Sequence, residues 1–576
     1  MLVDCINDKI IEPCDFNDGD YLNTVFLRKK KDSTIENPKY RMILNMKALN
    51  KSYVELIHHK MSSLQTCLDL MEPNWYLASI DLKNAFYTIP MDKEFTKYLK
   101  FYVDGNYYKF LVLPMGYRDA PRIFCKILKP VLAHLRKKGF LSSLYIDDFF
   151  LTGASYDQCK NNVDNTLTLL ASLGFEFSDK SCLSPDTSLH HLGFIINSKT
   201  MSVSLSDDKK DKITVLLLSH LNKTFITVKE LACIIGTLVA TFPGVLYGPL
   251  YYRNMELLKI EALKISKNYK RKIILTAPCK QEMRWWLNVG LSSCKPINMG
   301  NPDFIIQTDA SKTGWGACTL YNNKKSQGFW SEEEAKLHIN VLELMAAKLG
   351  IQALCGHLHN CHLQVQLDNQ TAVSYIKNMG GTHSLSCNTI TKELIIWCQE
   401  KHIWLSSCHI AGVSNVIADE LSRDLNEDIE WMLNKNCFDR ICNTFGRPHI
   451  DVFASRINTQ LPKYFSFHPD DKAIAIDAFA HKWDFFAYLF PPFSLLPRVL
   501  RKVREDKVDA IIIVPKWTSS AWYPKLLQML VKPPLHLGNK ADNLILPNNS
   551  KKTHPLVPHL KLMACFLSGK NLKTVD

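Results

Sequence analysis

The sequence contains no pair of cysteines spaced as Cys-x-x-Cys, although its 576 residues include 18 cysteines. Zinc ribbons and secreted disulfide frameworks depend on closely spaced cysteines, so this scattered arrangement argues against both classes. We therefore expect reduced thiols and an intracellular protein, located in the cytoplasm, the nucleus or both.

The chain also lacks long apolar runs. Its longest, "LACIIGTLVATF" (231–242), is shorter than the roughly 20 residues that span a bilayer. The N-terminal "MLVDCINDKI" carries charges where a signal peptide has its apolar core. These absences predict a protein with no membrane partner.

What the chain does have is ordinary globular composition, with 46% hydrophobic and 22% charged residues. Its length predicts several domains. The net charge of +14 (70 basic minus 56 acidic residues) is compatible with a polyanionic partner such as nucleic acid.

One local group of potential metal ligands lies in the segment "CGHLHNCH" (355–362). Its members are Cys355, His357, His359, Cys361 and His362. Their alternating spacing matches neither common zinc-ligand pattern, so we interpret the segment as a loop leading into a strand.

The pattern of apolar residues predicts a multidomain chain of α/β and α+β type. Strand-like and helical stretches alternate over residues 1–205, and residues 206–300 are mainly helical. Thr227 and Glu230 have the spacing of a helix capping box. A polar, Pro- and Gly-containing stretch (292–304) predicts a linker before a new β-strand.

The stretch "SLYIDDFFL" (143–151) places two adjacent carboxylates between apolar strand-like runs. Two unit charges at ~4 Å and an effective dielectric of ~20 repel by about 4 kcal/mol. A solvated hairpin turn usually carries Asn-Gly or Asp-Gly, and neither is present. Asp147 and Asp148 therefore favour a metal site, while the pair alone leaves a solvated turn open.

A third carboxylate, Asp81, ends an apolar strand in "ASIDLKNAFYTIP" (78–90). Alone, such a residue is usually exposed or caps a helix. Together with Asp147 and Asp148 it completes a set able to bind two divalent cations, which clamp the oxygens of a phosphoryl displacement.

With these motifs the sequence resembles reverse transcriptases. "YIDD" (145–148) is similar to the family's Tyr-x-Asp-Asp box, and Asp81 matches its first catalytic aspartate. "LPMGYRDAPRIF" (113–124) is similar to the family's Leu-Pro-x-Gly segment, with Ala120 replacing the usual Ser. The resemblance implies a right-hand polymerase with fingers and palm over 1–205 and a thumb or connection over 206–300.

The same resemblance implies two Mg²⁺ or Mn²⁺ ions per active site, and as partners an RNA template, a DNA primer and deoxynucleoside triphosphates. The residues it places against the nucleotide are Lys29, Lys30, Arg41, Phe86, Met115, Gly116 and Lys180. Phe86 falls where an aromatic ring would clash with a ribose 2′-hydroxyl, and the alternative is a core phenylalanine. The lysine run could instead be a solvated face. Asn45 and Lys47 replace the family's usual Asp and Arg.

A second series of carboxylates follows the linker, and consists of Asp309, Glu343, Asp368 and Asp419. Three of them have a structural alternative: Glu343 could complete a cap begun at Asn340, Asp368-Asn369 could cap the next helix, and Asp419 could be an exposed helix residue. Their order resembles the RNase H family, which binds two divalent metals and cleaves RNA in RNA–DNA hybrids. The resemblance implies an RNase H-like α/β domain over 301–424, with His409 matching the family's mobile histidine.

"HIAGVSNVIADELSR" (409–423) followed by "GRPHIDVFASRINTQLPKYFS" (446–466) resembles DIRS-type retrotransposons. In these elements a region similar to adenine-N6 DNA methyltransferases follows the RNase H. The resemblance implies a Rossmann-like domain over 425–576 with an irregular Pro-rich tail, and a separately encoded tyrosine recombinase as partner. Asp451 fits the methyltransferase pattern, but Phe490 of "FPPF" replaces the acceptor of its catalytic box. We therefore do not expect S-adenosylmethionine as a cofactor.

These patterns together predict a retroelement reverse transcriptase with RNase H activity. The alternative is a catalytically decayed or co-opted nucleic-acid-binding protein. The presence of all seven carboxylates argues against that alternative, because a decayed site has no physical reason to keep charges clustered.

Overall fold

The computed structural model describes residues 2–29, 40–55, 57–58, 61, 63–425, 430–538, 543–557 and 559–570. The chain divides into two compact units, Met1–Asn298 and Met299–Asp576. The predicted mixed α/β, multidomain fold class is confirmed, while the finer division into four regions stays a prediction. Within the described ranges, no helix combines the length and apolar character needed to cross a membrane.

The first unit contains sixteen described strands and nine α-helices. The strands are β1 (Ile11–Pro13), β2 (Leu22–Lys29), β3 (Tyr40–Asn45), β4 (Tyr76–Lys83), β5 (Lys100–Val103), β6 (Asn106–Phe110), β7 (Leu141–Tyr145), β8 (Asp148–Gly153), β9 (Glu176–Phe177), β10 (Cys182–Asp186), β11 (Ser188–His191), β12 (Phe194–Asn197), β13 (Ser202–Leu205), β14 (Phe225–Thr227), β15 (Lys272–Ile274) and β16 (Cys294–Pro296). The helices are α1 (Leu2–Asn7), α2 (Lys47–Ser52), α3 (Leu64–Asp69), α4 (Ala120–Lys137), α5 (Tyr156–Ser172), α6 (Asp207–Leu221), α7 (Val228–Val239), α8 (Arg253–Ile265) and α9 (Ala277–Asn288).

Two sheets of the first unit matter for function. The central sheet has the order β10-β4-β8-β7, with β9 also paired to β4, and the outer sheet has the order β1-β6-β5-β2-β3. Helices α4 and α5 cover the central sheet because their apolar residues recur at helical spacing. On α4 these buried residues are Phe124, Leu128, Val131, Leu132 and Leu135.

Helix α7 follows the sequence prediction closely. The backbone N–H of Glu230 donates to Thr227 Oγ1 at 3.1 Å, and the Thr227 N–H donates to Glu230 Oε2 at 2.7 Å. This reciprocal pair satisfies N–H groups that a helix start leaves without partners. The predicted capping box is therefore confirmed.

The second unit contributes fourteen described strands and eight α-helices. The strands are β17 (Phe304–Ala310), β18 (Gly314–Thr319), β19 (Lys325–Phe329), β20 (Cys361–Leu367), β21 (Ile403–His409), β22 (Met432–Leu433), β23 (Ile450–Ala454), β24 (Tyr464–Ser466), β25 (Ala475–Ile476), β26 (Ala487–Leu489), β27 (Asp509–Pro515), β28 (Leu535–Gly538), β29 (Leu544–Ile545) and β30 (Leu562–Ser568). The helices are α10 (Glu332–Ala335), α11 (Ile339–Cys355), α12 (Gln370–Lys377), α13 (Leu385–Glu400), α14 (Val416–Arg423), α15 (Lys435–Phe445), α16 (Leu496–Glu505) and α17 (Tyr523–Gln528).

A five-stranded sheet, β19-β18-β17-β20-β21, organises the first part of this unit. β17, β18 and β19 are antiparallel, whereas β20 and β21 run parallel to β17. Helix α14 lies very close to β18, because a Cβ atom on Gly316 would stand 2.4 Å from the Ala418 carbonyl oxygen. Only glycine permits this approach, which brings α14 next to β17.

A seven-stranded sheet, here called the C-terminal sheet, has the order β25-β24-β23-β26-β27-β30-β28. All its strands are parallel except β30, which is antiparallel to both neighbours. The strand order reverses between β23 and β26, as in doubly wound α/β sheets.

The buried carboxyl of Asp451, on β23, makes the stability of this sheet depend on pH. Burial raises the pKa of Asp451 to about 7, from an ordinary value of about 3.9. The folded chain therefore holds this proton more tightly than the unfolded chain, and stability is lost as the pH rises from about 4 to about 7. We expect Asp451→Asn, which stays neutral, to gain stability over the parent between pH 5 and pH 8, by up to about 4 kcal/mol.

Thermal unfolding at several pH values measures this effect, with Asp484→Asn as the control because Asp484 is exposed. Asparagine keeps an oxygen for the Gln460 N–H, which donates to Asp451 Oδ2 at 2.9 Å. A stability difference between Asp451→Asn and parent that stays constant with pH would contradict the assignment.

Candidate active sites

The Asp147–Asp148 pair lies at the tip of the β7–β8 hairpin. Tyr145 pairs with Asp148, so Ile146 and Asp147 form a two-residue turn. Ile146 has φ = +58°, a left-handed conformation that is unfavourable for a β-branched residue. Such strain concentrates at functional sites, where the surrounding structure enforces it.

The neighbouring strand brings Asp81 to the same place. In the antiparallel pairing of β4 with β8, Asp81 lies directly opposite Asp148. The Leu82 N–H donates to the Asp147 carbonyl oxygen at 3.2 Å, which connects the turn to β4. The three predicted polymerase carboxylates therefore gather at one end of the central sheet.

The electrostatics of this cluster favour a bound cation. Burial raises the pKa of Asp148 to about 7, and the charges of Asp147 and Asp81 add to the rise, opposed by Lys180. Burial and Asp81 also raise the pKa of Asp147, while Arg41 opposes the rise. Divalent cations would remove this excess negative charge, so the residues present fit the metal ions that the sequence implies.

The structure separates the basic residues predicted on the outer sheet. Arg41 on β3 pairs with Arg28 on β2, whereas Lys29 pairs with Tyr40. Successive side chains of a strand point to opposite faces, so Lys29 and Arg41 lie on different faces. Arg28 shares the face of Arg41 and was missed by the sequence analysis. Lys30 lies outside the described residues.

The loop before α4 packs against β3 through its glycine. A Cβ atom on Gly116, which has φ = +119°, would stand 1.9 Å from the Leu44 carbonyl oxygen. The Leu44 N–H donates to the Met115 carbonyl oxygen at 2.9 Å. Phe86 is half-buried, and its ring contacts Phe124 edge-on with 5.5 Å between centroids.

In the second unit, Asp309, Glu343 and Asp368 converge. One carboxylate oxygen from each lies within 4.8 Å of the others, a geometry able to hold a metal ion. Burial and the charges of Asp309 and Asp368 raise the pKa of Glu343 to about 9. Glu343 Oε2 is buried and has no hydrogen-bond partner among the described residues. A buried acceptor without a donor fits a cation ligand.

Helix α14 supports Asp309. The Ser422 hydroxyl donates to Asp309 Oδ2 at 2.8 Å, and Asn415 Nδ2 donates to the Thr308 carbonyl oxygen at 3.1 Å. Asp419, on the same helix, instead accepts from the guanidinium of Arg423 at 2.6 Å. Asp419 is not a member of the three-carboxylate group, although its charge helps to raise the pKa of Asp309.

His409 lies at the end of β21, where its Nε2 is 3.0 Å from the Asp368 carbonyl oxygen. Of the two capping alternatives, the one for Glu343 does not hold, whereas the one for Asp368-Asn369 holds through Asn369 alone. His338 caps α11, and Asn369 caps α12 by accepting from the Ala372 N–H at 3.0 Å. Glu343 and Asp368 are therefore free of capping roles.

Among the described residues, Asp309, Glu343 and Asp368 are the one group whose ligand atoms all lie within 4.8 Å of one another, so neither the polymerase carboxylates nor the Cys and His residues of 355–362 form so close a group. Cys355 ends α11 and is buried, whereas Cys361 begins β20. His362 Nε2 lies 2.7 Å from the Ser406 hydroxyl. The interpretation as a loop entering a strand agrees with these positions.

At the carboxyl ends of β23, β24 and β25 lies a cavity of about 580 Å³. Its aromatic lining consists of Trp315, Phe329, Phe453, Phe465, Phe467 and Phe479. Phe490, which follows β26, packs on Phe493 with 6.4 Å between ring centroids. A phenyl ring cannot accept a hydrogen bond from an adenine amino group, so the residues present do not fit methyl transfer from S-adenosylmethionine.

The first unit thus places three carboxylates together at one end of a central antiparallel sheet. Residues 28–196 match the family model described as reverse transcriptase (RNA-dependent DNA polymerase). This part of the chain is therefore a reverse transcriptase domain, as the sequence motifs predicted.

Similar proteins are viral polyproteins. The putative enzymatic polyprotein of Cassava vein mosaic virus is 26% identical over 435 residues, covering 73% of this chain and 63% of the relative. The enzymatic polyprotein of Figwort mosaic virus is 24% identical, covering 67% and 56%. The Gag-Pol polyprotein of Avian reticuloendotheliosis virus is 30% identical over 241 residues, covering 40% and 20%. The chain thus spans less than two thirds of the length of these relatives.

Among solved structures, a foamy viral protease-reverse transcriptase in complex with RNA/DNA hybrid is 17% identical, with a TM-score of 0.44. The similarity covers 75% of this chain and 56% of that one.

Proposed function

We propose that the first unit catalyses RNA- and DNA-templated DNA synthesis for a retroelement. The observation that carries this proposal is the convergence of Asp81, Asp147 and Asp148 inside a domain that matches the reverse transcriptase model. Two Mg²⁺ or Mn²⁺ ions held there would activate the primer 3′-hydroxyl and stabilise charge on the triphosphate. Primer extension by carboxylate variants tests the proposal.

The surrounding residues would orient the substrates. Arg41 and Lys180 carry positive charge whose field reaches the carboxylates, so they are placed to bind the triphosphate of an incoming nucleotide. Met115 and Gly116 would lie along the template and the nucleotide. Asp147 and Asp81 would bind the metal ions directly, and Asp148 would tune the site.

Phe86 is proposed to exclude ribonucleotides by blocking the 2′-hydroxyl. We expect Phe86→Ala to lower the preference for deoxynucleotides over ribonucleotides by about 10- to 100-fold, because the void would accept an added hydroxyl. Single-nucleotide incorporation with paired dNTP and rNTP substrates measures the preference as a ratio of kcat/KM values.

This ratio is insensitive to partial loss of folded enzyme through the Phe86–Phe124 contact. Phe86→Tyr serves as the control, since it keeps the aromatic ring and opens no void. An unchanged ratio in Phe86→Ala would identify Phe86 as a core residue only.

We further propose that the second unit cleaves the RNA strand of RNA–DNA hybrids. The support is the group of Asp309, Glu343 and Asp368, whose oxygens lie within 4.8 Å of one another. Asp419 would join them after releasing Arg423, and His409 would assist product release. Copying RNA into DNA leaves a hybrid, so the two activities would act in sequence.

For residues 425–576 we propose a Rossmann-like domain related to adenine methyltransferases but without methyl transfer, in a DIRS-type element that relies on a separate tyrosine recombinase. The strand order of the C-terminal sheet supports the relationship. Phe490 argues against methyl transfer, because its phenyl ring cannot accept a hydrogen bond from an adenine amino group.

We expect the purified protein to incorporate no label from S-adenosylmethionine into duplex DNA. A scintillation assay with S-adenosylhomocysteine as competitor checks this. Incorporation above background that disappears in Asp451→Ala would overturn the prediction.

A further inference from the structure

Residues 329–338, which connect β19 to α11, are held by the C-terminal part of the second unit. Arg456, in the loop after β23, donates through Nη1 to Glu334 Oε1 at 2.7 Å and through Nη2 to Oε2 at 2.9 Å. Both side chains are largely buried, with 21% and 20% of their surface exposed. A two-pronged guanidinium–carboxylate contact fixes orientation as well as distance.

The Glu334 carboxylate also takes part in hydrogen bonds within residues 329–338. Its Oε2 accepts from the Ser331 N–H at 2.9 Å, while the Glu334 N–H donates to the Ser331 hydroxyl at 3.3 Å. Arg456 Nη2 also donates to the Phe329 carbonyl oxygen at 3.3 Å. One guanidinium therefore sets the path of the backbone from the end of β19 through α10.

Two further contacts hold the same region. The Ser550 hydroxyl donates to Glu332 Oε2 at 2.5 Å, and the Glu332 N–H donates to the Pro547 carbonyl oxygen at 3.1 Å. On β19, the Ser326 hydroxyl donates to the Pro469 carbonyl oxygen at 2.8 Å. Loops from three separate stretches of the C-terminal part thus converge on β19 and α10.

Helix α11 starts directly beyond this segment, with His338 as its N-cap. Glu343 lies near its first turns and is held within 4.8 Å of Asp309 and Asp368. When all three carboxyls are ionised to hold a metal ion, their like charges repel at this distance, so a restraint on the start of α11 would help to keep Glu343 in place. The contacts from the C-terminal part supply such a restraint at the start of the helix.

We propose that Arg456 is a positioning residue for the nuclease site, and that the C-terminal part braces residues 329–338 so that Glu343 stays aligned with Asp309 and Asp368. The brace gives residues 425–576 a role that needs neither a cofactor nor methyl transfer. The cleavage assay for this proposal rests on the proposed RNase H function, so Mn²⁺ binding is measured as a second, independent readout.

The test uses the full chain with Asp147→Asn and Asp148→Asn, so that the polymerase carboxylates contribute little metal binding. Mn²⁺ affinity is measured by calorimetry, and hybrid cleavage is followed against Mg²⁺ concentration. We expect Arg456→Glu to weaken Mn²⁺ binding about 10-fold and to raise the Mg²⁺ requirement similarly, as for lost outer-shell support. The exchange Arg456→Glu with Glu334→Arg should restore most of both, and Arg456→Lys should lie between.

The matched control is Asp509→Asn, which breaks an ion pair between the start of β27 and Lys570, just after β30. It should leave both readouts at parental values. Circular dichroism identifies variants that fail to fold. If Arg456→Glu fails to fold, the Mn²⁺ affinities of the exchange variant and of Arg456→Lys test the proposal instead. Parental Mn²⁺ affinity in folded Arg456→Glu or Arg456→Lys overturns the brace. If the parent binds Mn²⁺ through Asp309 but leaves hybrid intact, RNase H function fails, and the Mn²⁺ affinities still decide the brace.

Discussion

Replacing Asp147 and Asp148 with asparagine is expected to slow primer extension on poly(rA) with Mg²⁺ by at least about 10³-fold. The physical reason is the loss of two charges from a cluster whose burial already raises the pKa of Asp148 to about 7. Metal ions supply several kcal/mol of transition-state stabilisation, and each 1.36 kcal/mol corresponds to about a tenfold change in rate. Gel-resolved extension of a labelled primer measures the effect.

The matched control removes the same two charges from helix α5, through Asp157→Asn with Asp164→Asn, both exposed. This control should extend primers at the parental rate. Hybrid cleavage should survive in both variants, since its carboxylates belong to the other unit. Parental extension by the Asp147 and Asp148 variant would refute the polymerase assignment.

Glu343→Gln is expected to lower hybrid cleavage by about 10³-fold while primer extension persists. Without metal, burial raises the pKa of Glu343 to about 9, so the carboxyl is mostly neutral at pH 7. The neutral amide has nearly the same shape, so the fold should be kept. The charge needed to bind the metal ions is lost. Release of labelled RNA from a defined hybrid measures the change.

Glu420→Gln, at an exposed position on α14, is the control and should cleave hybrid normally. Unfolding temperatures of the two variants in the absence of metal should be similar. If Glu343→Gln retains Mg²⁺-dependent cleavage, the three-carboxylate group is not the nuclease site.

Sequence reasoning reached the carboxylates because each one ends or follows an apolar strand or lies on a patterned helix. It could not supply the register that sets Asp81 opposite Asp148, since pairing joins residues distant in the chain. The same limit explains why the sequence could not show that Lys29 and Arg41 lie on different faces, because the face of Lys29 depends on its pairing with β3. The pairing of Asp419 with Arg423 had a signal, namely opposite charges at i and i+4 on a helix.

No local sequence pattern indicates the contacts of Arg456. In the structure Glu334 forms an ordinary capping box with Ser331, three positions earlier. Its second partner is 122 residues away, beyond any local pattern. Long-range ion pairs of this kind emerge only when the tertiary fold is known.

The close packing at Gly316 bears on how the two proposed activities can be lost separately. A single added carbon there would meet the backbone of α14 at 2.4 Å and displace the helix that supports Asp309. The polymerase unit would be untouched by such a mutation. If the two proposed activities hold, a substitution at this position should abolish hybrid cleavage while DNA synthesis persists, so one glycine would separate the two.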